Sequence, residues 1–170
     1  SRARSGNGID YTKNLSKVIP THTDMEEREV KLFSESFVEP DYLDTLKSKY
    51  DANSYKTCRT SATSLLRVSH SPEDYEHLHT LVFNAEGLKF ATISATLEYL
   101  ESKGFEVVPH IVLEPNTIPR DFNEFKKFIK SLCDKFAKET IGIPSDGIVI
   151  DVNDLSFNGI INGKYSDRNI

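Results

Sequence analysis

A chain of 170 residues that is 38% hydrophobic and 10% aromatic can bury one core, so a single globular domain is expected and a disordered tail is excluded. A formal net charge of -5 with a pI near 5.6 excludes a generally basic nucleic-acid-binding surface and leaves room only for a local basic groove. Cys58 and Cys133 lack CxxC spacing, no apolar run reaches membrane-spanning length and no signal peptide is evident; the expectation is two buried thiols, no structural zinc, no membrane and a cytoplasmic setting.

The opening SRARSGNGIDYTKNLSKVIP has no initiator methionine and gathers Gly6, Asn7 and Gly8 in a turn-like cluster, as in a chain entered in mid-structure. Arg2 and Arg4 beside these glycines form either a solvated basic terminus or a contact for a phosphate or ribose. Glu29 to Val38 reads as a strand on which Phe33, Glu35 and Phe37 share a face. Its carboxylate between two aromatics is either an edge-strand glutamate or an acceptor for sugar hydroxyls in an aromatic-walled cleft. Asp41, after Pro40, is a candidate N-cap for a short helix in which Tyr42, Leu43, Leu46 and Tyr50 share a packing face. Tyr55 to Val68 mixes small residues with Arg59 and Arg67. In a helix these arginines fall two turns apart and either serve one phosphate-bearing partner or stay as unpaired surface residues.

His77 to Glu86 reads as a strand with Leu78 and His79 on opposite faces. His77 and His79 then share a face, but with no third ligand nearby they read as surface histidines in preference to a metal site. A helix is predicted from Ile93 to Lys103, with Ile93, Leu97 and Leu100 on one face and Gly104 as its C-cap. The strand FEVVPHIVLE follows, with Pro109 marking an edge or a bulge. Asp121 and Glu124 fit a capping box that opens the clearest helix, in which Phe122, Phe125, Phe128, Ile129, Leu132, Cys133 and Phe136 recur as a core stripe. Beyond Gly142 and Pro144, DGIVIDVND (Asp146 to Asp154) alternates as a strand with one buried and one partly polar face, and turn-rich SFNGIINGKYSDRNI follows. There is no internal repeat or low-complexity tract. The order of elements gives an α+β or mixed α/β domain, and no activity by itself.

Four segments in the same order carry a resemblance. Gly6 to Pro20 is similar to a segment of the form GDG, D.T.NL and IP with a short deletion; Ser34 to Pro40 sits where RGEVF would stand; CRTSATSLLR, Cys58 to Arg67, follows PRNAAAGSLR with both arginines in register; and DGIVIDVNDL, Asp146 to Leu155, follows DGVVIKVNDL. Together they resemble the adenylation (nucleotidyltransferase) domain of NAD-dependent DNA ligases over nearly the whole chain. The resemblance implies an α+β fold of the DNA ligase and mRNA capping enzyme kind, related to ATP-grasp proteins, with mostly antiparallel sheets and flanking helices. It implies NAD as AMP donor, magnesium, nicked DNA as substrate, and a bacterial cytoplasm or a virus in a bacterial host.

The family chemistry uses a KxDG lysine to attack the α-phosphate of NAD, passes AMP to the 5′-phosphate of a nick and seals it with the 3′-hydroxyl, which requires an amine nucleophile and fixed positive charge around phosphate. By the resemblance, Glu35 holds the ribose, Asp146 acts near the metal and the reacting lysine, Arg59 and Arg67 contact nucleic-acid phosphate, Arg4 flanks the nucleotide, and Phe83 stands near the aromatic wall for adenine. Three departures matter. The chain contains no KxDG; KYDA at Lys49 to Ala52 is the nearest string and aligns elsewhere. Asp151 stands where the family has a phosphate-facing lysine, a charge reversal that is unfavourable beside an anion unless a cation compensates. Ile170 falls about where the next lysine motif would come. The expectation is part or one subunit of a ligase, completed by remaining ligase segments or a second subunit carrying KxDG. The alternatives are a non-catalytic ligase-like binding module and an ATP-dependent polynucleotide ligase.

Overall fold

The computed structural model describes residues 8–26, 29–140, 142–145 and 147–156. Two alternating segments make its sheet: β1 (Lys31–Val38) pairs antiparallel with β2 (Leu78–Glu86), from Lys31 opposite Glu86 to Val38 opposite Leu78. Alternation sends Val38, Leu78 and Val82 into the core, whereas Glu35, Leu81 and His79 take the other side, less covered. The register shifts where Phe33 faces Asn84 and Ser34 faces Val82, so Phe83 is an extra residue on β2.

Helices cover the apolar side. α3 (Cys58–Arg67) starts at Thr57, whose side-chain oxygen accepts the Thr60 N–H at 3.2 Å while Thr60 Oγ1 accepts the Thr57 N–H at 3.0 Å, a reciprocal capping box. It packs on β1 through Ala62, Leu65 and Leu66, which join Val38, Leu46, Tyr55, Tyr75 and Leu78 in one core cluster. α1 (Thr12–Leu15) is fastened to the end of α3 by Asn14, whose Nδ2 donates to the Leu66 carbonyl at 2.9 Å. α5 (Ile93–Ser102) packs on β2, and its Leu100 meets Val82 and Phe105 in a second cluster. Gly104, at φ 89°, follows α5 as the sequence predicts. The result is α+β, a small two-stranded antiparallel sheet with several helices.

Several expectations are corrected. The helix predicted from an Asp41 cap begins instead with a 3-10 turn at Pro40–Tyr42, because Pro40 occupies the first helical position, and becomes α2 at Leu43–Lys49. The short helix α4 (Pro72–Tyr75) lies between the Tyr55–Val68 and His77–Glu86 segments, where the sequence reading assigns no element. The strand predicted over Phe105–Glu114 contributes only an isolated parallel bridge between Val107 and Val82, since Pro109 has no N–H to continue a ladder. The strand predicted over Asp146–Asp154 forms no ladder across the described residues 147–152, where Val149 is 92% exposed. An alternating pattern offers a face but needs a free edge; β1 occupies one side of β2 and the 106–108 segment holds part of the other. α6 (Phe122–Glu139) forms, capped by Asp121 through the N–H groups of Asn123 and Glu124, yet none of its residues is buried and none belongs to either core cluster. Its stripe is therefore not core, and Phe122 is 67% exposed. Both cysteines are free and half-buried instead of fully buried. Among the described residues no helix is long and apolar enough to cross a membrane.

Candidate functional site

The less covered side of the sheet gathers three of the residues singled out from the sequence, Glu35, Phe83 and Arg59. Glu35 projects from β1 opposite Leu81, and the Phe33 and Phe83 rings meet at 6.5 Å with a 43° tilt. Phe83 owes its place to the register shift, and it stays 43% exposed. Arg59 reaches across from the first turn of α3, and its Nη2 donates to Glu35 Oε1 at 2.6 Å. Both side chains are well exposed, so this pair contributes at most about 1 kcal/mol. Glu35 Oε2 has no hydrogen-bond partner among the described residues and remains available as an acceptor.

The end of this side carries a chain of carboxylates and imidazoles that sequence reasoning missed. His77 Nδ1 lies 2.6 Å from Glu39 Oε2, His79 Nε2 lies 3.0 Å from Glu39 Oε1, and His79 Nδ1 lies 3.0 Å from Glu106 Oε1. Phe37 stacks on His79 and Tyr42 on His77. Hydrogen bonds from His77 and His79 hold the Glu39 carboxyl below its ordinary range, outweighing burial. The two histidines share a face as predicted, but they are carboxylate-paired and not bare surface groups. Glu39 and Glu106 carried no sequence signal, because both contacts are long-range.

The two arginines part company. Arg59 turns to Glu35, whereas Arg67, two turns later, lines a cleft of about 330 Å³ with Tyr50, Tyr55, Ser64 and His70. Asp151 is exposed in the 147–152 segment, which forms no regular secondary structure, and its Oδ1 accepts the Val152 N–H at 2.7 Å. Arg4 and Asp146 lie outside the described residues. The magnesium that the resemblance implies has its expected ligand, Asp146, there; among the described residues no group of three or more His, Cys, Asp or Glu side chains could hold a metal ion.

Fold and site together define an α+β protein whose small antiparallel sheet presents a carboxylate and two aromatic rings on one side, with an arginine of α3 paired to that carboxylate. No family model matches the chain, and no curated protein matches it.

Proposed function

We propose that this chain forms part of the AMP pocket of an NAD-dependent DNA ligase, with a nucleotidyltransferase fold completed by a ligase segment or second subunit that carries the KxDG lysine. The observation that supports this most is the open sheet side, where Glu35, Arg59 and the Phe33–Phe83 pair stand together. A carboxylate accepts ribose hydroxyls, aromatic rings stack on adenine, and arginine suits phosphate. In this reading NAD supplies the adenylyl group, which passes through the partner segment's lysine to the 5′-phosphate of a DNA nick, with nicotinamide mononucleotide as the first leaving group. The chain's own residues hold and orient: Glu35 takes the ribose through its free Oε2, Phe83 takes adenine, Arg59 exchanges Glu35 for a phosphate, and Arg67 contacts the DNA backbone. Arg4 and Asp146 take the parts that the resemblance gives them.

The test mixes the chain with the KxDG-bearing segment of a bacterial NAD-dependent ligase, magnesium and adenylyl-labelled NAD. Covalent label on the segment's lysine, lost with Glu35→Ala, is the expected result. No label overturns the proposal, and label from ATP but not from NAD moves the protein to the ATP-dependent polynucleotide ligases.

Asp151 favours a second reading, a non-catalytic ligase-like module that binds nicks. An exposed carboxylate where a phosphate-facing lysine is expected repels the anion that the reaction must hold. Asp151→Lys separates the two. Adenylation gained by the variant supports lost chemistry, whereas adenylation lost shows that Asp151 belongs to an active site of altered charge.

A further inference from the structure

His79 is the one imidazole among the described residues with a carboxylate at each ring nitrogen, Glu39 at Nε2 (3.0 Å) and Glu106 at Nδ1 (3.0 and 3.2 Å to its two oxygens). A neutral imidazole has a single N–H, so it serves one of these carboxylates and turns a lone pair toward the other. Only the imidazolium donates to both. The two carboxylates come from different parts of the fold: Glu39 follows β1, and Glu106 belongs to the segment after α5 whose backbone pairs with Val82 of β2.

We infer that Glu39, His79 and Glu106 form a proton-operated clamp that fastens the β1–α2 corner and the 106–108 segment to β2, closed while His79 is doubly protonated and loosened when it loses one proton. The released proton goes to solvent, one carboxylate loses its donor, and that side of the clamp is left with an unfavourable lone-pair contact. Each carboxylate has a second hold that keeps it near: Glu39 Oε2 engages His77 Nδ1 at 2.6 Å, and Glu106 Oε2 accepts the Thr80 N–H at 3.3 Å. The groups facing the clamp are therefore Glu39 from the end of β1, Tyr42 stacked over His77, His77 before β2, and Glu106 after α5, with Phe37 lying on the His79 ring at 5.3 Å. Phe37 is two residues from Glu35 on β1, so the clamp lies at one end of the candidate ligand-binding side.

The sign follows from the surroundings. Burial acts to lower the affinity of His79 for its second proton, but the hydrogen bonds and charges of Glu39 and Glu106 outweigh it and hold the group above its ordinary value of 6.5. The stabilisation is fully present below about 6.5 and is lost as pH rises through the higher folded value.

The experiment uses the chain by itself. Nitrogen-detected NMR of the histidine rings is expected to show both His79 nitrogens protonated at pH 6, with a midpoint that falls in Glu39→Gln and in Glu106→Gln. Hydrogen exchange, corrected for intrinsic rates, is expected to show the Val108 amide losing about tenfold protection above that midpoint, on the scale of one charge-assisted hydrogen bond. His79→Gln removes that pH dependence while leaving the amides of α3 protected. A His79 ring that is neutral at pH 6 overturns the clamp, as does a Val108 protection profile unchanged by His79→Gln.

Discussion

Asp74 is the most deeply committed charge among the described residues. Its side chain is wholly buried, and it accepts from Tyr50 at 2.6 Å, Ser71 at 2.8 Å, Tyr42 at 2.9 Å and Lys49 at 3.0 Å. Burial alone would raise its pKa, but the hydrogen bonds from Tyr50, Lys49, Ser71 and Tyr42 override that and hold it at about 2 against an ordinary 3.8. The same contact, with burial acting first, pushes the Tyr42 hydroxyl up to about 12. A depressed carboxylate stabilises the fold above its unfolded value and loses that contribution as pH falls through the folded one. Stability on the order of 2 kcal/mol is thus expected to disappear between about pH 3.8 and pH 2. Asp74→Asn keeps the shape but not the charge, so it is expected to lose about 3 kcal/mol at neutral pH and to flatten that acid limb. Urea denaturation at a series of pH values measures both. Equal acid limbs in the two proteins would show that the charge of Asp74 is not what holds α2 to α4.

Helix ends show where sequence reading succeeds and where it stops. The Gly104 terminus of α5 and the Asp121 cap of α6 are local events, fixed by residues within a turn, and both were legible. The start of α5 was only half legible. Thr92 supplies one acceptor, for the Ala95 N–H, but the two preceding donors find theirs about 60 residues away: the Ile93 N–H reaches the Asn153 carbonyl and the Ser94 N–H reaches Asn153 Oδ1, each at 2.9 Å. Asn153, read from its sequence as the polar face of a strand, instead caps a helix. Asn153→Ala is expected to lose about 1 kcal/mol and to raise hydrogen exchange at Ser94 without affecting α3; unaltered exchange at Ser94 would count against the cap. Gly87 is a second element boundary with a long-range cause. Its φ is 96°, and a Cβ there would meet the Glu29 carbonyl oxygen at 2.6 Å, a backbone atom that cannot rotate aside. Gly87→Ala is expected to destabilise by about 2 kcal/mol in the same denaturation assay, against a few tenths for Gly8→Ala, where nothing lies within 4 Å.

At the scale of the whole molecule, the two strands of the sheet and most of the helices were legible because periodicity is local, whereas the pairing of those strands, the covering of α6 and the lack of pairing at 147–152 were not, because they depend on what lies beside them. The candidate site divides in the same way. Glu35 and its aromatic neighbours follow from β1 alternation, but the Arg59–Glu35 pair joins residues given separate tasks, ribose and phosphate. That pairing bears on how an acidic chain, net -5, would hold nucleic acid. A generally basic surface would release many counterions and give a steep salt dependence; two arginines give a shallow one. With one phosphate each for Arg59 and Arg67, the plot of log affinity for a nicked duplex against log salt is expected to have a slope of about -2. Arg67→Ala, whose side chain makes no ion pair among the described residues, should bring that slope to about -1 and weaken all sequences alike. Arg59→Ala should change the slope by the same amount and, by freeing Glu35 Oε1, also change the affinity for AMP, which Arg67→Ala leaves alone. Fluorescence anisotropy of a labelled nicked duplex across a salt series, with AMP titrated separately into each variant, measures both quantities. A slope much steeper than -2 would place the DNA on lysines such as those of α6, and an AMP affinity indifferent to Arg59 would remove Glu35 from the nucleotide.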